Sequence, residues 1–218
     1  MNINDIYSDF NFSTAYRNRL IDYLRKHTTI ECGGYNLFDG SYNNLLHIPE
    51  ELSELIFFLK KKNKEKKIQN YLEVGFSHGI CNTIFNKFFK FKSNVAIDIF
   101  GPHLNGSVLL ANMRFKNLTL FCGDSKNINT IKNVQKFSKF DLIFIDGSHE
   151  YNDVKNDFNQ YKKMIEKKGL IILHDINLPN SGSKKFWNEI KKKYNPKRIK
   201  EIKFNKYHFL FGYGVILF

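Results

Sequence analysis

From Tyr71 onward the chain alternates short, nearly unbroken apolar runs with longer stretches of helical periodicity. The runs are Tyr71–Val74, Val95–Ile99, Leu118–Cys122, Leu142–Ile145 and Leu170–Leu173. Runs this short, with no polar alternation, predict strands buried on both faces. Between them, Ile80–Phe89 and Ser183–Tyr194 predict helices, and Val154, Phe158, Tyr161 and Ile165 form one apolar stripe of a third, with Gly169 expected to close it. Strand–helix alternation of this kind predicts an α/β fold, a parallel sheet with helices on both faces. Two extended segments, Arg198–Phe204 and Gly214–Phe218, follow and predict a C-terminal antiparallel hairpin, giving seven strands, mostly parallel.

The chain before Tyr71 reads differently. Tyr16–Lys26 predicts a helix, and Cys32–Asn44, rich in Gly, Asn, Asp and Ser, a loop. Pro49 opens a further helix, with Glu50 and Glu51 in the turn where the helix dipole favours acids and Leu52, Leu55, Ile56 and Leu59 on one face. This divides the chain into a helical and loop extension, 1–45, and a main domain, 46–218.

Composition narrows the class. At 218 residues and 42% apolar the chain suits one domain with a real core. No apolar run reaches the roughly 18 residues of a membrane helix, and the N-terminus lacks the pattern of a signal peptide. Cys32, Cys81 and Cys122 form no CxxC pair and predict reduced cysteines of a cytoplasmic protein. The formal charge of +13 invites a nucleic-acid partner. Lysine far outnumbers arginine, however, and is spread along the chain, so the excess reads as compositional bias and nucleic acid is not the favoured partner.

Candidate chemistry lies after the strands, because ligands of open α/β sheets bind beyond the strands' carboxyl ends. The first is followed by Glu73-Val74-Gly75-Phe76-Ser77-His78-Gly79, where Gly75 permits a tight turn and Gly79 a close helix start. The spacing is not the GxGxxG of dinucleotide folds, which argues against NAD. The second strand delivers Asp98 and Ile99, about 20 residues past Gly79, where nucleotide folds place an acid against ribose hydroxyls. Then come Gly123-Asp124-Ser125, an acid able to accept from an adenine amino group, Asp146-Gly147-Ser148-His149, and His174-Asp175. Each alone has a plain structural reading; five polar strand ends on one rim form a joint pattern.

The motif Glu73-Val-Gly-x-x-x-Gly79 resembles the first motif of class I S-adenosylmethionine-dependent methyltransferases, a Rossmann-like fold. Phe144-Ile-Asp-Gly-Ser-His-Glu-Tyr151 and Gly169-Leu-Ile-Ile-Leu-His-Asp-Ile176 are similar to the group containing macrocin-type sugar O-methyltransferases and cephalosporin hydroxylase-like proteins, as are His47-Ile-Pro-Glu-Glu-Leu52 and Gly212-Tyr-Gly-Val215. The resemblance covers roughly 46–218. It implies S-adenosylmethionine as cofactor, held by Glu73, Gly75, Phe76, Ser77, His78, Gly79, Asp98, Ile99, Asp124, Ser125 and Asp146. It implies a divalent metal, Mg²⁺, at Asp146 and Asp175, with His149 as general base and Asp146 in the catalytic set. Where related sites add a third ligand beside the second acid, this chain has His174 and Ile176, and His174 reads somewhat sooner as a core or helix-capping residue than as a ligand. His47, in the loop before Pro49, reads first as a plain loop histidine and second as a contact for cofactor or substrate, and His78 as a polar lid residue; His27, His103 and His208 suggest no role.

The acceptor implied is a sugar or other small-molecule hydroxyl. Two alternatives stay open: an RNA methyltransferase with a basic surface, and a non-catalytic fold that keeps the cofactor. Altered chemistry, as in the hydroxylase-like relatives, is a minor fourth reading. Trp187 reads as packing or as a wall of the acceptor pocket. The aromatic loop Asn205–Gly214 reads as a cover over substrate or a homodimer contact.

Overall fold

The computed structural model describes residues 3–37, 44–101, 113, 115–137, 139–207 and 209–218; His103 and His208 lie outside them. Seven strands form one sheet: β1 (Asn70–Val74), β2 (Ser93–Asp98), β3 (Leu118–Cys122), β4 (Phe140–Ile145), β5 (Ile165–His174), β6 (Ile199–Ile202) and β7 (Tyr213–Leu217). Their spatial order is β3-β2-β1-β4-β5-β7-β6. The first five run parallel, while β7 pairs antiparallel with both β5 and β6. The expected hairpin is therefore present, with β7 inserted against β5 and β6 left as the edge.

Alternation along each central strand sorts its side chains between two faces. Tyr71, Leu142, Phe144, Leu170, Ile172, Tyr213 and Val215 meet α2 (Thr14–Arg25), α3 (Pro49–Glu65) and α4 (Ile80–Phe89) on one side. Leu72, Ile143, Ile145, Ile171, Leu173 and Ile216 meet α5 (Ile128–Gln135), α6 (Tyr151–Tyr161) and α7 (Gly182–Lys193) on the other. A short first helix, α1 (Ile3–Ser8), adds Ile6 to the first core, where the Tyr16 hydroxyl donates to its carbonyl. Ser13 caps α2 by accepting from the Tyr16 N–H at 3.1 Å, and Pro49 occupies the first turn of α3 as expected.

One sequence expectation is corrected here. The stripe ending in Ile165 does not make one helix closed by Gly169: α6 ends at Tyr161, a 3₁₀ turn covers Lys162–Met164, and Ile165 already begins β5. Gly169 lies inside that strand, beside a register shift against β4 and a left-handed Lys168 (φ 62°). The charged Glu166-Lys167-Lys168 segment, with both lysines exposed, hides the strand from an apolar-run reading. Trp187 is packing, the default of its two readings. Its ring lies where a Cβ on Gly214 would come within 2.5 Å, and its indole N–H donates to Glu201 Oε1 at 2.5 Å. Cys32 and Cys81 are buried, and Cys122 is exposed.

The loop between β6 and β7 is tied to α3. Buried Glu51 accepts the backbone N–H of Phe204 (2.7 Å) and of Gly212 (2.9 Å), and Tyr207 donates to Glu50 Oε1 at 2.5 Å. That anchoring sets Phe211 against the site described next. No helix among the described residues is long and apolar enough to cross a membrane.

Candidate functional site

A cavity of about 600 Å³ opens at the carboxyl ends of β1 to β5. Its centre is β1, where the sheet order reverses between β2 and β4, the position at which α/β sheets leave a crevice. Every residue assigned to the site from sequence lines it: Glu73, Gly75, Phe76, Ser77, His78, Gly79, Asp98, Ile99, Asp124, Ser125, Asp146, His149 and Asp175.

The first half of the cavity is built by the β1–α4 turn. Gly75 has φ 94°, and a Cβ on it would stand 2.1 Å from the carbonyl oxygen of Asp146, so the turn passes against the end of β4 with no room for a side chain. Ser77 (φ 48°) is left-handed as well, and its N–H donates to Asp98 Oδ2 at 2.6 Å. Asp98 Oδ1 accepts from the Phe100 N–H at 2.7 Å. Asp98 thus pins two turns while remaining partly exposed at the rim, its spare lone pairs free for a ligand's hydroxyls. Ile99 follows, 73% exposed, an apolar plate beside it. Asp124 accepts from the Lys126 N–H at 2.8 Å, and the Ser125 hydroxyl donates to Asp157 at 2.7 Å. Burial pushes Asp157 up to about 6. His78 is buried, which overturns its reading as a lid residue.

Glu73 sits beneath the turn, fully enclosed. It accepts from Asn82 Nδ2 at 2.6 Å, and Asn82 and Asn94 exchange amide hydrogen bonds of 2.7 and 3.0 Å, tying α4 to β1 and β2. Burial drives its carboxyl up to about 8. A carboxyl raised from 4.5 in the unfolded chain stabilises the fold fully below that value and loses the contribution as pH rises through about 8. Glu73→Gln keeps the acceptor for Asn82 and removes the ionisation. The variant is expected to be more stable than the parent at pH 9, on the order of 3 kcal/mol, and the gap to close by pH 5. Thermal melts across that range check it, and equal slopes in both proteins would refute the burial argument.

The second half gathers residues remote in sequence. Asp146 at the end of β4 takes His174 Nδ1 on Oδ1 at 2.9 Å and faces His47 Nε2 with Oδ2 at 3.6 Å. His47 Nδ1 meets the Tyr213 hydroxyl at 2.8 Å and His174 Nε2 at 3.2 Å. Asp175, held left-handed (φ 60°), approaches His174 Nδ1 at 3.5 Å with Oδ1 and His149 Nε2 at 2.7 Å with Oδ2. A non-glycine residue in that region stores about 1–3 kcal/mol, a cost met where a side chain must be aimed. Burial opposes charge on His174, yet Asp146 and Asp175 raise it to about 9. Burial and that charge lower His47 to about 3. Burial likewise opposes charge on Asp146, but His174 holds it at about 2. The hydrogen bond to Asp175 raises His149, whose side chain is 57% exposed.

His47 is therefore not a plain loop histidine, and His174 neither caps a helix nor merely fills core. The signal for His47 was its place two residues before Pro49, which stations it at the start of α3, over the sheet end. Tyr213 was missed as a site residue because it reads as a strand aromatic.

Charge separates this cavity from the rest of the surface. Among the described residues, Asp98, Asp124, Asp146, Asp153, Asp157 and Asp175 line it, with Glu73 held protonated at neutral pH by its burial, against Lys126 and a protonated His174. In a chain of net charge +13 the pocket is a local excess of acid suited to a cationic ligand.

Comparison with known proteins agrees with this geometry. Residues 72–176 match the model of a family described as "Methyltransferase domain". An uncharacterised protein, R132, of Acanthamoeba polyphaga mimivirus is 28% identical over 154 residues, 64% of this chain and 62% of that one, so the chain spans less than two thirds of that relative's length. The O-methyltransferase TomG from Streptomyces achromogenes, solved with S-adenosylmethionine, superposes with a TM-score of 0.60 at 11% identity, over 100% of this chain and 99% of TomG. The N-methyltransferase NodS from Bradyrhizobium japonicum WM9, solved with S-adenosylhomocysteine, gives 0.53 at 13%, over 77% and 87%. At such identities the likeness establishes the fold.

Proposed function

We propose that this protein transfers a methyl group from S-adenosylmethionine to a hydroxyl of a sugar or other small molecule, a reading supported by the match of residues 72–176 to a methyltransferase-domain model and by the seven-stranded sheet. The observation that carries the reading is the division of one cavity into two halves: a glycine-turn and acid rim at β1 to β3, and an Asp–His cluster at β4 and β5.

Gly75 and Gly79 form the turn around the methionine and ribose part of the cofactor, with Phe76, Ser77 and His78 between them. Glu73 underpins it, Asp98 takes the ribose hydroxyls, Ile99 packs on the adenine, and Asp124 with Ser125 receives its polar edge. The acidic lining favours a sulfonium cation. With the methyl already activated, the residues mainly align donor and acceptor in line. An attacking hydroxyl must give up its proton, and His149, exposed to the cavity and oriented by Asp175 at 2.7 Å, is placed to receive it. Asp146 and Asp175 are the carboxylates that would hold a divalent cation, which when bound lowers the charge on the acceptor oxygen as that proton leaves. Nucleic acid is the weaker second reading, since a polyanion meets an acidic rim here.

Calorimetric titration with S-adenosylmethionine tests the cofactor half. Asp98→Ala is expected to weaken binding about 10- to 100-fold, the loss of one or two charge-assisted hydrogen bonds together with the Ser77 and Phe100 anchors. Absence of binding by the parent protein would sink the assignment. Transfer of labelled methyl to a panel of glycosides and phenols then tests the acceptor half.

A further inference from the structure

We infer that the floor of the cavity is a binding site for a divalent transition-metal ion of the zinc or cobalt kind, held by His47, His174, Asp146 and Asp175. The inference deepens the proposed function, which asks only for a divalent cation between two carboxylates. His47, Asp146 and His174 bring one ligand atom each within 4.8 Å of one another, and so do Asp146, His149 and Asp175. Three of the pairs among these atoms lie near the separations that one ion imposes. His47 Nε2 is 3.6 Å from Asp146 Oδ2, His174 Nδ1 is 2.9 Å from Asp146 Oδ1, and His174 Nδ1 is 3.5 Å from Asp175 Oδ1. Ligands about 2.0–2.1 Å from a tetrahedral ion stand roughly 3.3–3.4 Å apart.

The donor types decide which ion. Mg²⁺ takes oxygen ligands in near-ideal octahedra. Here imidazole nitrogens interleave with the two carboxylates, and imidazole suits zinc and its neighbours in the first transition row. His47, His174 and Asp175 have side chains no more than 5% exposed, whereas Asp146, at 19%, opens toward the cavity. An ion so placed is fixed from below and open to an acceptor above. The surroundings hold the ligands in place. His47 Nδ1 is engaged by Tyr213, which leaves Nε2 as the nitrogen turned to the site, and Asp175 is steadied by His149.

The test uses the purified full chain, stripped with chelator and titrated with ZnCl₂, MgCl₂ and CoCl₂ alone, without cofactor. One equivalent of Zn²⁺ is expected to bind at least about 100-fold more tightly than Mg²⁺, and Co²⁺ to give the visible absorption of a low-coordinate nitrogen and oxygen site. His47→Gln and His174→Gln are each expected to lower Zn²⁺ affinity about 10-fold or more, while His27→Gln, remote from the site, leaves it unchanged. Should a variant fail to fold, the nitrogen coupling in the spectrum of the Cu²⁺-loaded parent reports imidazole ligation instead. A preference for Mg²⁺, no stoichiometric binding, or Zn²⁺ affinity indifferent to both histidines would overturn the inference. Parallel titration with S-adenosylmethionine separates the two readings: metal bound without cofactor affinity sinks methyl transfer and leaves the metal site, and the reverse result does the opposite.

Discussion

Gly75→Ala is expected to remove measurable S-adenosylmethionine binding, a loss beyond about 100-fold, and to lower the melting temperature. Two independent constraints meet at this residue. Its φ of 94° lies where an L side chain is strained, and its Cβ would stand 2.1 Å from the Asp146 carbonyl oxygen and 2.5 Å from the carbonyl carbon. That backbone cannot retreat cheaply, because the Asp146 N–H is bonded to the Val74 carbonyl at 2.8 Å, locking the ends of β1 and β4 together. The methyl must displace the turn into the cavity, where the cofactor's methionine part is proposed to lie, or pry the strands apart at a cost of roughly 1–3 kcal/mol. Gly147 supplies the control. It is adjacent in space, but a Cβ there meets nothing closer than 3.7 Å and its φ is not left-handed. Gly147→Ala is expected to fold with parental stability and to bind cofactor within about threefold, since 3.7 Å is ordinary van der Waals contact. Calorimetry and thermal melts on the pair decide the matter. Parental affinity in Gly75→Ala would mean that the turn is not the cofactor cradle.

The contrast between those two glycines shows which part of the molecule its sequence could disclose. Both follow a buried strand and both read as turn residues; only the approach of β4 to β1 distinguishes them. The central strands were legible because a strand covered on both faces has nowhere to place polar residues, so Leu142–Ile145 announces itself, whereas Leu118–Cys122, expected from its apolar run to be covered on both faces, is a half-buried edge strand. The start of β5 was not, because Glu166-Lys167-Lys168 runs past the covering helices into solvent and carries a helix-like composition. The acids at the strand ends were legible for a topological reason: parallel strands point every carboxyl end to one rim.

The histidine cluster was not legible. His47 and His174 lie 127 residues apart and meet at 3.2 Å only because α3 begins directly above the end of β5. Nothing in the spacing of either residue encodes that distance. The pocket's acidity was hidden in the same way. A net charge of +13 describes the chain as a whole, whereas among the described residues folding collects six aspartates and one lysine around a single cavity. The partner suggested by bulk charge and the ligand suggested by the cavity differ in sign of charge, because electrostatic focusing is local.

Asp146→Asn is expected to separate the two halves of the cavity functionally. Asp146 is the one carboxylate in contact with both buried histidines, 2.9 Å from His174 and 3.6 Å from His47, and it closes the floor opposite His149. The amide keeps the shape and loses the charge. Cofactor contacts at Gly75, Asp98 and Asp124 are untouched, so S-adenosylmethionine affinity should stay within about fivefold of the parent, the residual effect being one charge removed near a sulfonium. Methyl transfer, in contrast, should fall about 10³-fold, because proton removal and cation binding both depend on the fixed negative charge at that point. The same substitution strips His174 of its nearest counter-ion. His174 would then give up its proton near neutrality, a change visible as an upfield-shifted imidazole resonance and as a stability loss of about 2 kcal/mol at pH 7. The sign follows from a histidine raised to about 9, whose contribution is present at low pH and fades as pH rises through that value, so the gap between parent and variant should narrow by pH 10. A variant that loses cofactor binding and transfer together would place Asp146 in the cofactor half. One that keeps full transfer would show that the Asp–His cluster takes no part in the chemistry.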